Sequence, residues 1–301
     1  MKYILCLLLG CFLQTVMAQD YIDIASIYYA YSPAIDFENE KGQTNLSELA
    51  LQLNFPLELN DQTILFTGLT ANHDRLQLDA NLENPTSLNS IGFQIGLHRK
   101  YSKKWAASYI LLPKIASGPG ALTVNDLQIG VASLFSFIKN KNLTYKFGLY
   151  ANTEKFGPML VPLAGLYYLS ENRKFEITML LPSMLDLNYA LFNKTHAGIG
   201  FVSPTSSYYL NKPLYSDQNE YVVKVSNELS AHIKYQLGKS IFFKTEVGYP
   251  VSRHYKVFNA DDKVDFALGN LYFGDKRVQL NHNVDKGLIF KIKLVYRIHF
   301  N

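Results

Sequence analysis

The last segment of the chain alternates between apolar and mostly polar positions. Apolar side chains occupy every second position: Leu288, Phe290, Ile292, Leu294, Tyr296, Ile298 and Phe300. The positions between them carry Ile289, Lys291, Lys293, Val295, Arg297 and His299. Successive side chains of a β-strand point to opposite faces, whereas on a helix the apolar set would scatter around the axis. The pattern therefore predicts a strand with one wholly apolar face.

The same two-residue period recurs upstream. The apolar parity is occupied by Leu49, Leu51, Leu53 and Phe55, by Ile91, Phe93, Ile95 and Leu97, by Leu143, Tyr145, Phe147 and Leu149, and by Leu229, Ala231, Ile233 and Tyr235. These runs approach the roughly 9 to 11 residues that a tilted strand needs to cross the hydrocarbon layer of a membrane. One face of each strand is thus predicted to contact lipid and the other to face an interior.

Two kinds of connection alternate along the chain. Short polar connections fall near residues 60–61, 102–104, 139–142, 171–174, 193–194 and 238–239. Longer ones span residues 32–44, 73–88, 116–124, 152–159, 210–219 and 251–285. Tight turns at one rim and longer loops at the other are typical of outer-membrane barrels. The spacing predicts about fourteen strands, with twelve as the alternative because Leu181, Pro182 and Ser183 form a short joint on the long-loop side.

Closure follows from backbone chemistry. An open sheet in hydrocarbon would leave unpaired N–H and C=O groups at its edges, at a cost of several kcal/mol each. We therefore expect an all-β fold, a closed antiparallel up-and-down transmembrane barrel in which residues 288–300 pair with residues 21–31. The last strand resembles a barrel-assembly signal, although Asn301 follows the aromatic Phe300. A soluble β-sandwich or a lipocalin-like lipid carrier, whose last strand faces a core, is the alternative.

The first residues have the features of an export signal. A basic Lys2, an apolar run over residues 3–13 and the small-residue ending Val16-Met17-Ala18 predict a signal peptide over residues 1–18 that is cleaved after Ala18. The barrel domain then covers residues 19–301, in the outer membrane of a Gram-negative bacterium. Leu8-Leu9-Gly10-Cys11 resembles a lipobox, so lipidation of Cys11 is an alternative. Because Cys6 and Cys11 are the two cysteines, the mature chain has no thiol for a disulfide.

Composition fits this class and excludes others. Aromatic residues make up 14% of the chain, with 21 Tyr and 19 Phe, which suits strands and membrane-interface girdles. The net charge of +4 is spread over scattered Lys and Arg residues, so no patch for nucleic acid is predicted.

No cofactor, metal or catalytic site is predicted. His98, His232 and His299 fall on polar strand faces and are interpreted as lumen residues rather than catalytic ones. Asp261, Asp262 and Asp265 lack the alternating ligands and the glycine of a calcium loop. The segment Ser117-Gly118-Pro119-Gly120 lacks the Lys and Ser/Thr pair of a phosphate loop.

Charged residues of the polar parity are the candidates for lining the lumen. They are Lys114, Lys146, Lys224, Lys234, Lys244, Lys291, Lys293 and Arg297, together with Glu48, Asp126, Glu228 and Glu246. Their balance is mildly basic, which predicts a slight anion preference if a continuous pore exists. The alternative is that these charges pair with one another and plug the lumen.

Short motifs between residues 105 and 209 resemble a family of uncharacterised outer-membrane β-barrels common in Bacteroidota, a domain-of-unknown-function group. The motifs are Trp105, Leu112-Pro113-Lys114-Ile115 and Ser117, then Gly157-Pro158, Pro162, Gly165, Tyr167 and Tyr168, then Leu181-Pro182, Tyr189, Gly200 and Tyr208. The resemblance covers about a third of the chain. It implies the barrel fold and the outer membrane, and it implies no established activity.

The sequence therefore predicts an integral outer-membrane barrel that acts as a passive pore or uptake channel for a small solute of unknown identity. Expected partners are outer-membrane lipid and, during insertion, the barrel-assembly machinery. A binding or structural barrel with a plugged lumen, an outer-membrane lipid hydrolase and a soluble lipid-binding β protein are the alternatives.

Overall fold

The computed structural model describes residues 21–212, 214–216 and 218–299. The predicted signal peptide, Phe300 and Asn301 lie outside the described residues. Among the described residues the one helical element is a three-residue 3-10 turn, Val124–Asp126, and the other regular elements are β-strands. The strands are β1 (Tyr21–Asp36), β2 (Gln43–Asn60), β3 (Thr63–Leu76), β4 (Thr86–Lys100), β5 (Trp105–Ser117), β6 (Leu127–Asn140), β7 (Leu143–Glu154), β8 (Gly157–Leu169), β9 (Phe175–Leu181), β10 (Met184–Phe192), β11 (Thr195–Val202), β12 (Thr205–Leu210), β13 (Glu220–Gln236), β14 (Ile241–Asn259), β15 (Phe266–Leu268), β16 (Leu271–Phe273) and β17 (Ile289–His299).

Fourteen of these strands, β1 to β11 with β13, β14 and β17, form one closed antiparallel barrel. Strand β1 pairs with β2 on one side and with β17 on the other. The register of the closing pair runs from Tyr21 opposite His299 to Tyr31 opposite Phe290. The predicted closure and strand number are confirmed. Within the described residues, no helix is long and apolar enough to cross a bilayer.

The apolar parity of β17 lies on the outside of the barrel. Phe290, Leu294 and Ile298 are 46%, 43% and 40% exposed, whereas Ile289 and Val295 of the other parity are buried. The same apolar parity is exposed on strands around the wall, including β2, β4, β7 and β13. A continuous apolar exterior of this extent is typical of a barrel in lipid. The sandwich alternative is wrong, because it would bury this parity in a core.

The turns divide as predicted, but the strands continue further into the predicted loops. Residues 32–36 and 43–44 belong to β1 and β2, and the predicted loop over residues 152–159 contains only a two-residue turn at 155–156. The joint at Leu181-Pro182-Ser183 connects β9 to β10, which have only seven and nine residues. Both short strands belong to the wall, so the number is fourteen and not twelve.

Three strand segments leave the wall at the long-loop end and enter the interior. They are β12, residues 220–227 of β13 and residues 250–259 of β14, and we call them the inserted sheet. The wall pairing of β14 with β17 ends at Gly248 opposite Ile289. On the far side of the inserted sheet, Tyr209 pairs with Ser117 of β5, and Gln128 Nε2 of β6 donates to the carbonyl of Ser207 at 2.8 Å. The inserted sheet therefore spans the lumen.

Both faces of the inserted sheet are packed. One face, carrying Tyr208, Val222 and Tyr255, contacts a cluster that includes Leu76 and Leu88 of the wall. The other face packs against a second cluster, formed by Phe156, Met159, Val161, Tyr221, Val223, Val225, Phe258, Val264 and Ala267. Burial of apolar area on two faces stabilises this end by the ordinary hydrophobic effect. The long-loop end of the barrel is consequently filled by protein.

Loop residues 274–288 complete the seal beside the inserted sheet. Asn281 Oδ1 accepts from the backbone N–H of Val257 at 2.8 Å, so it satisfies an edge that β17 has left unpaired. In the same loop the Arg277 guanidinium stacks 4.4 Å from the ring centre of Phe258. Arg277 also donates to both carboxylate oxygens of Asp275, which lowers the pKa of that carboxyl.

A buried ion cluster fastens the inserted sheet to the opposite wall. Lys224 Nζ lies 2.8 Å from Glu48 Oε1 of β2 and 2.8 Å from Asp74 Oδ2 of β3. Tyr255 and Tyr208 donate their hydroxyls to Glu48 and Asp74, at 3.3 and 3.4 Å. The exposed fractions of Lys224, Glu48 and Asp74 are 8%, 6% and 2%. One cation thus compensates two carboxylates that are shielded from water.

Removing that cation should destabilise the barrel strongly. Lys224→Met leaves two buried carboxylates without their direct ion-pair partner, which we expect to lower the free energy of unfolding by roughly 3–5 kcal/mol. Urea unfolding in lipid vesicles measures the change. Lys141→Met, at an exposed turn, is the matched control, and adding Glu48→Gln and Asp74→Asn to Lys224→Met should recover most of the loss. Equal stability of Lys224→Met and the wild type would contradict this role.

Barrel closure can be tested by cross-linking, because the mature chain is expected to lack cysteine. Ser26 lies opposite Val295 across the closing pair, and directly opposed Cβ atoms are about 4.5–5.5 Å apart. Ser26→Cys with Val295→Cys should form a disulfide on mild oxidation, seen as faster migration of the boiled protein on a non-reducing gel. The control pair, Ser26→Cys with Ser136→Cys, lies on non-neighbouring strands and should not cross-link. Efficient cross-linking of the control pair alone would refute the closure.

Candidate functional site

A cavity of about 980 Å³ lies in the barrel beneath the inserted sheet. Tyr208 and Lys224 of the inserted sheet line its roof, and Tyr21 and Arg297 line its floor near the short-turn end. The cavity arises because β12 to β14 fill only the upper part of the lumen. The polar parity of the lower strands therefore faces an open space rather than other side chains.

The floor is a contact between opposite walls. Tyr21 of β1 donates its hydroxyl to Glu176 Oε1 of β9 at 2.8 Å, and Tyr167 of β8 donates to the same oxygen at 3.1 Å. Arg297 lies 3.4 Å from the ring centre of Tyr21 and donates to Asp23 Oδ1 at 2.6 Å. Because β1 and β9 are six strands apart by the shorter way round, this bridge crosses the short-turn end of the lumen.

Charged residues of both signs line the cavity. The cations on its wall are Lys224, Lys244, Lys291, Lys293 and Arg297, and the carboxylates are Asp23, Glu48, Asp74, Asp186, Glu228 and Glu246. Most of them form ion pairs. Lys244 Nζ lies 3.4 Å from Glu246 and 3.5 Å from Asp186, and Lys291 contacts Glu228. These ion pairs neutralise charges on the cavity wall.

The charge balance of this wall differs from the mildly basic balance that the sequence predicts. Five cations face six carboxylates along the described cavity lining, because Asp23, Asp74 and Asp186 also face inward. Asp74 lies in the predicted loop 73–88, which the structure shows as the end of β3. Asp23 lies beside a register shift in β1 that disturbs simple alternation. The cavity lining therefore offers no net positive charge to support an anion preference.

The other candidate residues lie elsewhere. Lys234 is buried on β13 opposite His196 of β11, and Lys146 is half-buried on β7. Lys114 lies 3.4 Å from Glu154 near the long-loop rim. The expectation that Asp126 lies on the polar face of a strand is wrong: it ends the 3-10 turn, is fully buried and accepts from Asn211 Nδ2 at 2.9 Å. There it fixes a loop instead of lining the cavity.

Two histidines of the described strands each contact a serine hydroxyl. His98 Nδ1 lies 3.0 Å from Ser108 Oγ, and His254 Nε2 lies 3.0 Å from Ser252 Oγ. Within the described part of the chain neither of these two rings donates a hydrogen bond to a carboxylate, so neither pair has the third group of a hydrolase triad. His232 contacts Asn188 inside the barrel. No group of three or more His, Cys, Asp or Glu among the described residues is arranged to hold a metal ion.

The strands that form the barrel wall are short at the β9–β10 hairpin, with seven and nine residues. β8 pairs with β9 only from Ala164 to Leu169, and β10 pairs with β11 only up to Met184 opposite Val202. Above the turn at residues 182–183, β12 has already turned inward. The short β15–β16 hairpin covers part of the gap, held to β8 through Met159 opposite Ala267 and Leu160 opposite Leu268.

The remaining gap is a side window of the cavity. Its frame is formed by Met159, Val161, Pro162, Pro182, Ser183, Met184, Val202, Ser203, Pro204, Thr205, Leu268, Gly269 and Asn270, all on the cavity lining. Asn270 Oδ1, at the tip of the upper hairpin, accepts from Thr205 Oγ1 at 2.8 Å. Pro162 and Leu185 also line the cavity, and both belong to the outward parity of their strands. The cavity therefore reaches the outer surface through the wall.

Sequence analysis did not predict the inserted sheet or the window, although the sequence contains one indication of each. Tyr221, Val222, Val223 and Val225 form a nearly continuous apolar run, the pattern of a strand buried on both faces. The short joint at residues 181–183 marks the low part of the wall. Neither trace specifies that β12 to β14 cross the lumen, because that depends on contacts with strands far away in sequence.

Solved structures of outer-membrane proteins align with most of this chain at low sequence identity. An outer membrane channel from Pseudomonas putida F1 matches 92% of this chain and 96% of its own at 9% identity, with a TM-score of 0.47. A FadL homologue from Pseudomonas aeruginosa matches 94% and 91% at 12% identity, also with a TM-score of 0.47. The toluene transporter TodX from Pseudomonas putida matches 92% and 89% at 9% identity, with a TM-score of 0.38. No curated protein matches the sequence.

The model of one protein family matches residues 14–295. The match extends well beyond residues 105–209, on which the sequence resemblance rests, and includes β1 and residues 289–295 of β17. The chain therefore belongs to the family described as a domain of unknown function, DUF6268.

Proposed function

We propose that this protein is an integral outer-membrane barrel that mediates passive uptake of a small solute through its internal cavity. The observation that carries the proposal is the cavity of about 980 Å³ inside a barrel with an apolar exterior. Ligand pockets for small molecules typically have volumes of about 300–1,000 Å³. The cavity is thus large enough for a small molecule, and its wall has polar groups to solvate one.

The two covered ends specify the kind of channel. The inserted sheet fills the long-loop end, and the Tyr21–Glu176 bridge crosses the short-turn end. A permanently open axial pore does not fit this arrangement. Uptake requires the floor to open transiently, and the floor bridge depends on one carboxylate that accepts two phenolic hydroxyls. Opening it leaves the roof intact, because the roof is held by separate contacts.

The same ion pairs favour a second candidate, a binding barrel with a plugged lumen. Lys224, Lys244, Lys291 and Arg297 are all paired with carboxylates of the cavity wall. In such a barrel the floor would stay closed and solute would bind without passing. The two candidates predict different effects of removing the floor bridge: solute flux should rise in an uptake channel and stay unchanged in a plugged barrel.

The proposal includes the expectations that follow from the sequence. The signal peptide over residues 1–18 directs export, the barrel contacts outer-membrane lipid, and the barrel-assembly machinery inserts it. The protein originates from a member of the Bacteroidota and has a transport role rather than a catalytic one. The alternative of an outer-membrane lipid hydrolase is less favoured, because neither His–Ser contact has a carboxylate hydrogen-bonded to its ring within the described residues.

Flux measurements with two uncharged probes test the proposed function. In a Gram-negative host without its major porins, the barrel should accelerate influx of the apolar dye N-phenylnaphthylamine, followed by fluorescence. In proteoliposomes, swelling measures entry of arabinose. Glu176→Ala removes the floor bridge and should raise the flux about tenfold, since a hydrogen bond to a charged group contributes at least about 1.5 kcal/mol.

The matched control is Glu171→Ala, which removes an exposed carboxylate from the neighbouring turn and should leave both fluxes unchanged. Entry of either probe supports uptake. If neither probe enters faster than in vesicles or cells without the barrel, and Glu176→Ala changes nothing, the uptake function is wrong and the plugged binding barrel is the better description.

A further inference from the structure

We propose that the side window admits an uncharged, largely apolar small molecule from the membrane into the cavity. The proposal rests on the uptake function and names its substrate class and its point of entry. Three features of the described residues carry it: the break in the wall, the apolar surface around the break, and the lack of charge in its frame.

The break in the wall is a region where neighbouring strands are not paired at all. Residues 157–163 of β8 have no β9 partner, since that pairing begins at Ala164. On the other side the wall strand ends at Val202, and Ser203 and Pro204 turn the chain inward to β12. The backbone N–H of Ser203 donates to the carbonyl of Ser183 at 3.0 Å, which fixes the lower corner of the window. The edges of the opening are therefore held in place.

The opening lies within the apolar exterior. Pro162 is paired with the outward-facing, exposed Leu149, so this side of the window borders the lipid-facing surface. Leu181 is exposed below the window, and Leu271 and Phe273 are exposed on the hairpin above it. Exposed apolar residues thus border the window on the β8 side, below it and above it, so the window adjoins the lipid-facing surface. A molecule dissolved in the membrane reaches it directly.

The frame selects against charge. Among the described residues of the window frame none is charged, and its polar groups are the hydroxyls of Ser183, Ser203 and Thr205 and the amide of Asn270. A charged ligand would lose its hydration here without gaining a counter-charge. Charged cavity residues near the frame already interact with counter-charges: Asp186 with Lys244, and Glu228, opposite Val202, with Lys291. The window therefore fits an apolar molecule with at most a hydroxyl or carbonyl group.

Photolabelling in lipid nanodiscs tests this route without requiring transport. The probe is a medium-chain alcohol that carries a diazirine, and the matching carboxylic acid at neutral pH is its charged counterpart. After irradiation, mass spectrometry identifies the labelled residues. The alcohol should label cavity residues beyond the frame, such as Tyr28 and Tyr208, whereas the acid should label only outward-facing residues such as Leu149 and Val131.

Ser183→Trp should fill the window and abolish the interior labels, and Thr205→Trp, on the facing edge, repeats the block by a second change. Ser133→Trp makes the same substitution on the outer wall of β6 and should leave the labels unchanged. Heat-modifiable migration on a gel confirms that each variant is folded.

Interior labels that persist in both blocked variants, or that the acid produces equally, would overturn the proposal. Influx of dye or arabinose without any interior label would also overturn it while leaving the uptake function intact. Interior labelling without influx would instead retain the window and reject uptake.

Discussion

The whole structure depends on the pairing of its backbone hydrogen-bonding groups. In hydrocarbon each unpaired N–H or C=O is costly, so a spanning sheet must have no free edge. The pairing of β1 with β17 removes the edge that would otherwise remain between the first and last strands. The outward apolar parity then contacts lipid, and the inward parity is free to carry charge.

The same constraint explains how strands can leave the wall. Where β14 separates from β17, Asn281 replaces the lost partner of Val257, and the N–H of Leu280 donates to the Val257 carbonyl. Where β12 turns inward, its far edge gains a bond from the N–H of Gly118 to the carbonyl of Tyr209. The upper edge of β8 is covered in part by β15. Strands that leave the wall therefore find new partners for these backbone groups. The wall that remains is nevertheless incomplete above the β9–β10 turn.

Alternation predicted the barrel because it reports a local property, namely which neighbour points out and which points in. It gave the outer face of β17 and the pairing of the two ends, since both follow from the strand period and the need for closure. Strand ends were harder to predict: polar residues such as Asp74 lie at a rim, where the sequence resembles a loop. The alternating pattern also led to the assignment of Asp126 to a strand. Asp126 lies in a turn just before β6, and its polar side chain happens to continue the two-residue period of that strand.

The cavity could not be predicted in this way. Lys224 was recognised as inward-facing, but its partners Glu48 and Asp74 lie more than a hundred residues away in sequence. The charge balance of the wall depends on which carboxylates the folded strands bring together. The same holds for the floor, where Tyr21 meets Glu176 across the lumen. Cross-lumen contacts are set by the circumference and tilt of the barrel, which a two-residue period does not specify.

The central claim is that successive residues of a wall strand alternate between contact with lipid and contact with the interior of a barrel whose first and last strands pair. Nitroxide labels placed one at a time over residues 289–298 of a chain that lacks residues 1–18, and therefore contains no other cysteine, test it most directly in lipid vesicles. Collision with oxygen, which concentrates in lipid, should peak at Phe290, Ile292, Leu294, Tyr296 and Ile298, with minima at the residues between them. Low oxygen accessibility at these five positions, or no two-residue period, would contradict the barrel described here.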